Sequence, residues 1–195
     1  MSTSSRLIRN MVLAALFAAL LAISGQIAIP IGPVPITLQT MVISLAAALL
    51  GARWGTISVA VWIALAAVGV PVLSGGKSGL AVLFGPTGGY IFGFLFAVFL
   101  IGWLVEQIGK TTTLRWWQLF LLFWLLADLV VINGFGFIWF LFSSNVALSM
   151  ESFMQTFVIF IPGGIVKQVL ATVITLSLYR AMPTLRPQER ITRVG

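Results

Sequence analysis

Between Pro86 and Val105 the chain runs for twenty residues, PTGGYIFGFLFAVFLIGWLV, without a single charge. As a helix, a run of this length rises about 30 Å, the thickness of the hydrocarbon core of a bilayer. Inside lipid the backbone has no water to bond, so it must bond to itself, and a helix does so completely. Comparable runs lie at Leu7 to Gly25, at Leu119 to Phe140, and in a final segment that begins between Phe153 and Gly163 and ends near Tyr179. Thr37 to Gly51 and Gly55 to Gly69 are shorter, roughly 15 residues or about 23 Å each. The intervening Gly51-Ala52-Arg53-Trp54-Gly55 reads as a tight turn joining two neighbouring spans. The expectation is therefore an all-α transmembrane fold: a bundle of six helices forming one integral membrane domain over residues 1–195. Only 8% of the residues are charged, against about 25% in soluble domains. The first apolar run has no evident small-residue cleavage site and further spans follow it, so it reads as a span and not as a signal peptide.

The net charge of +7 does not point to nucleic acid, because the basic residues stand at the ends of apolar runs and form no basic face. With the N-terminus in the cytoplasm, Arg6, Arg9, Arg53, Lys110, Arg115, Arg180, Arg186, Arg190 and Arg193 all fall on the cytoplasmic side. The opposite side receives Lys77 alone, and Lys167 falls within the last span. That bias places both termini in the cytoplasm of a prokaryotic cell, with a short segment 1–6 ahead of the bundle and a basic tail 180–195 behind it. There is no cysteine and no histidine, so disulfides, zinc sites and histidine acid–base chemistry drop out. Without paired carboxylates or an activated nucleophile, no catalytic residues, metal site or cofactor are expected, and the chain is not read as an enzyme.

The triplet Gly76-Lys77-Ser78 invites comparison with a phosphate-binding loop. That loop requires a glycine five positions before the second one; here the position is Pro71, the strand-to-helix setting is missing, and the predicted side is away from cytoplasmic ATP. The connections on that side are the long ones: Gln26 to Pro35, Pro71 to Gly85, and Ser143 to Gly163. The second is Gly-rich and apolar enough to fold back over the bundle as an external cap carrying Lys77. In GPTGGY, Pro86 suits the first turn of a helix, and glycines such as Gly88 let the backbone approach a neighbour or a ligand.

Two charges lie within the spans. Lys167, four residues after Gly163, reads as one turn below the external surface, either snorkelling to the interface or facing an anion in a pocket. Asp128 reads as belonging to the cytoplasmic half of the fifth span, paired with Arg53 or Arg115. Gln39, Thr37 and Asn133 can supply hydrogen bonds, with Gln39 the best placed at the external end of the second span. Ala14, Ala18 and Ala22 recur every four residues, as do Ala15 and Ala19. Such a face admits another helix closely, from the same chain or from a partner in the membrane.

These residues are set in stretches that resemble the BioY family, the biotin-specific substrate-binding subunits of energy-coupling factor (ECF) transporters. The matches are GPVPITLQT at 32–40, LLGARWGTIS at 49–58, GVPVLSGGKSGLAVLFGPTGGYIFGF at 69–94 and FIPGGIVKQVLA at 160–171. The resemblance implies six transmembrane helices and a biotin cavity open to the outside. It also implies partners, a membrane scaffold subunit and two cytoplasmic ATPases, engaged through an alanine-rich face of the first helices; here that is Ala14, Ala18 and Ala22. Tyr90 would lie beside the substrate and Val72 to Phe84 would cap it. The family's last helix carries Pro-Gly-Asp and then Lys; Pro162, Gly163 and Lys167 match, but Gly164 stands where the aspartate should. That leaves a ureido ring without its carboxylate, with Asn133, Gln39, Gln26 or loop carbonyls as replacements, and it makes Gly164→Asp an expected gain in affinity if there is space. The substrate-binding set is thus Lys167, Lys77, Tyr90, Gln39, Asn133, Gly164 and Gly88. The leading function is ATP-driven biotin import, the energy coming from the partners. Alternatives are a biotin precursor or another carboxylate-bearing vitamin as substrate, and a stand-alone secondary transporter.

Overall fold

The structure, a computed structural model, describes residues 3–111 and 115–186. The side chain of Lys110 and the tail residues Arg190 and Arg193, counted in the charge bias above, lie outside what it describes. The chain is almost wholly helical. Helix α1 spans Thr3–Gln26, and a two-stranded antiparallel hairpin, β1 Ala28–Ile29 with β2 Ile36–Thr37, leads into α2, Gln39–Ala67. A 3-10 turn at Ser74–Gly76 and the short α3, Leu80–Leu83, precede α4, Gly88–Thr111. The next membrane stretch is α5, Trp116–Phe123, then a π-helical segment Trp124–Val131, then α6, Ile132–Ser144; the last is α7, Met150–Phe153, a π-helical segment Met154–Val158, and α8, Phe160–Ala181. Five helical stretches are long and apolar enough to cross a membrane.

The sixth span is concealed in α2. At Gly51 the backbone turns to φ 79°, ψ −177°, which divides α2 into the two short segments expected from sequence. Only glycine takes that φ without strain. The break is also crowded, because a Cβ on Gly102 of α4 would lie 2.5 Å from the Ala52 nitrogen. Glu106 Oε1 accepts from the Ala52 N–H at 3.2 Å, satisfying a donor freed at the restart of the helix. Two adjoining glycines and one carboxylate thus make a hairpin of helices within a single stretch. The bundle is built around α2, which packs on α1, α4 and α8. Trp62, Ile43, Leu21, Ile101 and Phe123 are fully enclosed, while α1 turns Ile8, Val12 and Ile23 outward, as a lipid-facing helix should.

Two elements differ from expectation. Helix α4 runs on past Val105 through Glu106 to Thr111, beyond the apolar run from which it is expected. The connection read as Ser143 to Gly163 is confined to Asn145 through Ser149, because the last helical stretch starts at Met150. Ser149 caps it, its side chain accepting from Ser152 N at 3.1 Å. The π turn just before α8 fits Pro162, which has no N–H and leaves an upstream carbonyl to find another donor.

The alanine face also needs correction. Ala14 and Ala18 are buried and Ala22 is half-buried on the side of α1 that packs against α2, so Ala14 and Ala18 serve internal packing. Ala15 and Ala19 are the ones exposed.

Candidate functional site

The same packing leaves a cavity between α2, α4, the α5–α6 stretch and α8, roofed by the 71–85 connection. Its apolar walls include Trp62, Phe94, Ile91, Ile132 and Phe160. Trp62 and Phe94 meet with ring centroids 5.9 Å apart, and the Trp62 indole N–H donates to the Val72 carbonyl at 2.9 Å. Gly79 N donates to the Ala66 carbonyl at 2.7 Å, so the roof is fastened to the end of α2 at two points. Lys77 is exposed on this roof and lines the cavity.

The polar end is built from two buried charges. Lys167 Nζ lies 3.6 Å from Asp128 Oδ1, with the two side chains 8% and 2% exposed. Lys167 also donates to the Thr37 carbonyl at 3.3 Å, and Gln168 Nε2 donates to Asp128 Oδ2. Both charges line the cavity. Asp128 sits on the π-helical segment, where each carbonyl meets the residue five ahead, and Asn133 Nδ2 donates to the Asp128 carbonyl. A buried ion pair is costly unless its remaining donors and acceptors are satisfied. Here one carboxylate oxygen is held by Gln168 and the ammonium by a backbone carbonyl, leaving both groups with capacity toward the cavity.

This overturns the sequence placement of Asp128. It pairs with Lys167, not with Arg53, which is exposed beside Trp54, nor with Arg115, which is exposed at the start of α5. The reason lies in α8. Counted from Gly163, Lys167 seemed one turn deep; counted from Met150, where the helical stretch begins, it lies about 25 Å along the helix and level with the middle of the bundle. An acid and a base this deep within the bundle are natural partners on cost alone.

Of the residues expected at the site, Lys167, Lys77, Tyr90, Gln39 and Asn133 all line the cavity. Tyr90 donates its hydroxyl to the Thr156 carbonyl at 2.6 Å, and its ring meets Phe160 at 5.9 Å. Gln39 is occupied at both ends of its amide, donating to the Leu21 carbonyl at 3.3 Å and accepting from Thr37 Oγ1 at 3.1 Å. Gly88 and Gly164 do not line it. A Cβ on Gly88 would collide with the Leu83 carbonyl, so this glycine lets α3 fold onto α4. Gly164 lies behind Asp128: its Cβ would stand 3.1 Å from Asp128 Cγ and 3.2 Å from Oδ1. The space in which Gly164→Asp was expected to gain affinity is filled by another carboxylate. Gln26, offered as a replacement acceptor, instead donates to the Pro71 carbonyl at 3.3 Å and is absent from the lining. Trp62, Phe94 and Asp128 are lining residues that sequence reasoning did not select.

Tyr90→Phe isolates one of these contacts. Thr156 is fully buried, so its carbonyl would be left without the phenolic donor, at a cost of about 1–3 kcal/mol. A lower melting temperature of the ligand-free protein is expected; an unchanged one would show that the bond contributes nothing.

The BioY family model matches residues 1–184. A biotin transporter BioY of Lactococcus lactis is 40% identical over 179 residues, covering 90% of this chain and 93% of the relative. One from Rhizobium etli is 34% identical over 183 residues, covering 91% and 96%. Among solved structures, the S-component for biotin from an ECF-type ABC transporter superimposes with a TM-score of 0.83 at 37% identity, covering 92% of this chain and 95% of that one.

Proposed function

The chain belongs to the BioY family, and on that premise we propose that it is the subunit of an ATP-driven importer that captures biotin at the Lys167–Asp128 end of its cavity. It is a multi-pass protein of a prokaryotic cell membrane and not an enzyme. The observation that carries the reading is a buried acid and base side by side at the end of an apolar, aromatic-walled cavity. Biotin's ureido group has two N–H donors beside a carbonyl acceptor. Asp128 accepts from the first kind of group and Lys167 donates to the second. Trp62, Phe94 and Ile91 cover the fused rings and the aliphatic chain, as expected of a small-molecule site with few polar anchors. The valerate carboxylate runs toward the roof, where Lys77 meets it.

Energy comes from outside this chain, from a membrane scaffold subunit and two cytoplasmic ATPases. Proteoliposomes should accumulate biotin only when these subunits and ATP are present; accumulation by this chain alone would favour the stand-alone transporter. The same vesicles offered biotin and its precursors decide the substrate, and uptake of a precursor in preference to biotin would displace the reading.

Both termini are cytoplasmic and the roof is external. Because the chain has no cysteine, single-cysteine labelling tests this cleanly. A membrane-impermeant maleimide should label Lys77→Cys in intact cells and leave Arg53→Cys unlabelled until the membrane is opened; the reverse pattern would invert the topology. Lys77→Ala should weaken biotin binding several-fold, and less at high salt, because an exposed charge is screened. A loss as large as that at Lys167 would make the roof, and not the Lys167–Asp128 end alone, a principal anchor of the ligand.

A further inference from the structure

Glycine inside a helix costs about 1 kcal/mol relative to alanine, and Gly164 lies buried within α8. Its neighbour supplies the reason. An added Cβ would come within 3.1 Å of both Asp128 Cβ and Cγ and within 3.2 Å of Oδ1, closer than carbon atoms pack without displacement. Asp128 cannot give way easily, since Gln168 Nε2 holds one carboxylate oxygen and Lys167 faces the other. The π-helical turn that carries Asp128 and the bare backbone at Gly164 therefore fit one another across the two helices.

We propose that positions 128 and 164 share one carboxylate-sized space at the cavity end, and that this chain fills it from the fifth membrane stretch. Asp128 is then its specificity-determining acceptor for a ligand N–H, Gly164 the clearance that acceptor requires, and Gln168 a positioning residue. The inference rests on the biotin reading for the identity of the ligand, though not for the steric coupling. Two consequences follow. An acid at both positions places two carboxylates against each other beside one lysine, which is unfavourable. An acid at neither leaves Lys167 buried without a counter-charge, which is also unfavourable.

The test is a swap in the full-length chain: Asp128→Ala, Gly164→Asp and the double variant, each read by biotin affinity and by melting temperature without ligand. Each single substitution should weaken biotin binding by roughly 10- to 150-fold, the range for a hydrogen bond to a charged group, and lower the melting temperature. The double variant should recover most of both. A biotin analogue methylated at a ureido nitrogen adds a readout that a purely structural role would not move. Methylation should weaken binding to the unsubstituted protein but matter far less to Asp128→Ala. A double variant no better than the product of its singles would overturn the shared space, and an equal methylation penalty with and without Asp128 would overturn the contact. If the unsubstituted chain bound no biotin, the functional reading would fall, and the melting temperatures alone would still decide the coupling.

Discussion

Lys167→Met is expected to abolish biotin capture and to destabilise the protein more than any other single change at the site. The methionine is close to the lysine in volume, so little packing is lost; what disappears is the one charge paired with Asp128 Oδ1 among the described residues, and with it the donor to the Thr37 carbonyl. Asp128 is 2% exposed and would remain ionised only with Gln168 as a partner. Breaking a buried pair in this way costs about 3–5 kcal/mol, largely the penalty of stranding the survivor. Binding should fall by at least about 100-fold, because the ligand carbonyl loses a charged donor at the same time. Stability and function can be separated by also changing Asp128→Leu. An apolar replacement for both charges is often neutral for folding, so the double variant should melt near the unsubstituted protein and still fail to bind. Restored binding in that variant would show that the ion pair is structural only.

Gly136→Ala is the second large effect. Its Cβ would lie 2.5 Å from Tyr90 Cγ and nearer still to two further ring carbons. The ring cannot swing aside freely, being fixed at its hydroxyl by the Thr156 carbonyl and on another side by Phe160. Overpacking of this kind typically costs about 1–3 kcal/mol, and here the displaced ring forms a wall of the cavity. A clear drop in melting temperature and at least a tenfold loss of biotin affinity are expected. Adding Tyr90→Leu should return much of the stability by removing the clash, without returning full affinity. If Gly136→Ala bound normally, Tyr90 would not shape the ligand surface.

The spans, the divided second helix and much of the site were legible in the sequence for simple reasons. Apolar runs declare their length, Gly51 and Gly55 bracket the break, and a lysine in a membrane segment has few places to go. The depth of the polar end was not legible, because it depends on where the last helix starts. The stretch from Met150 carries Glu151 and Gln155, which read as a loop, yet Ser149 caps it and the π turn carries the helix on into Pro162. Lys167 therefore appeared shallow and Asp128 cytoplasmic, when the two are neighbours. The alanine ladder of α1 shows the other difficulty. Spacing says that Ala14, Ala18 and Ala22 share a face, but only packing says that the face is turned inward. Gly164 was misread for the same reason: a missing side chain on one helix becomes intelligible only when the side chain from the next helix is seen in its place.

The most direct measurement is an equilibrium titration of biotin against the purified chain and its Lys167→Met variant, each in lipid nanodiscs and without partner subunits. The structure leads to saturable one-to-one binding by the first and no detectable binding by the second. Absence of binding by the unsubstituted chain, or binding that survives Lys167→Met undiminished, would contradict the assignment of the Lys167–Asp128 pair as the biotin anchor.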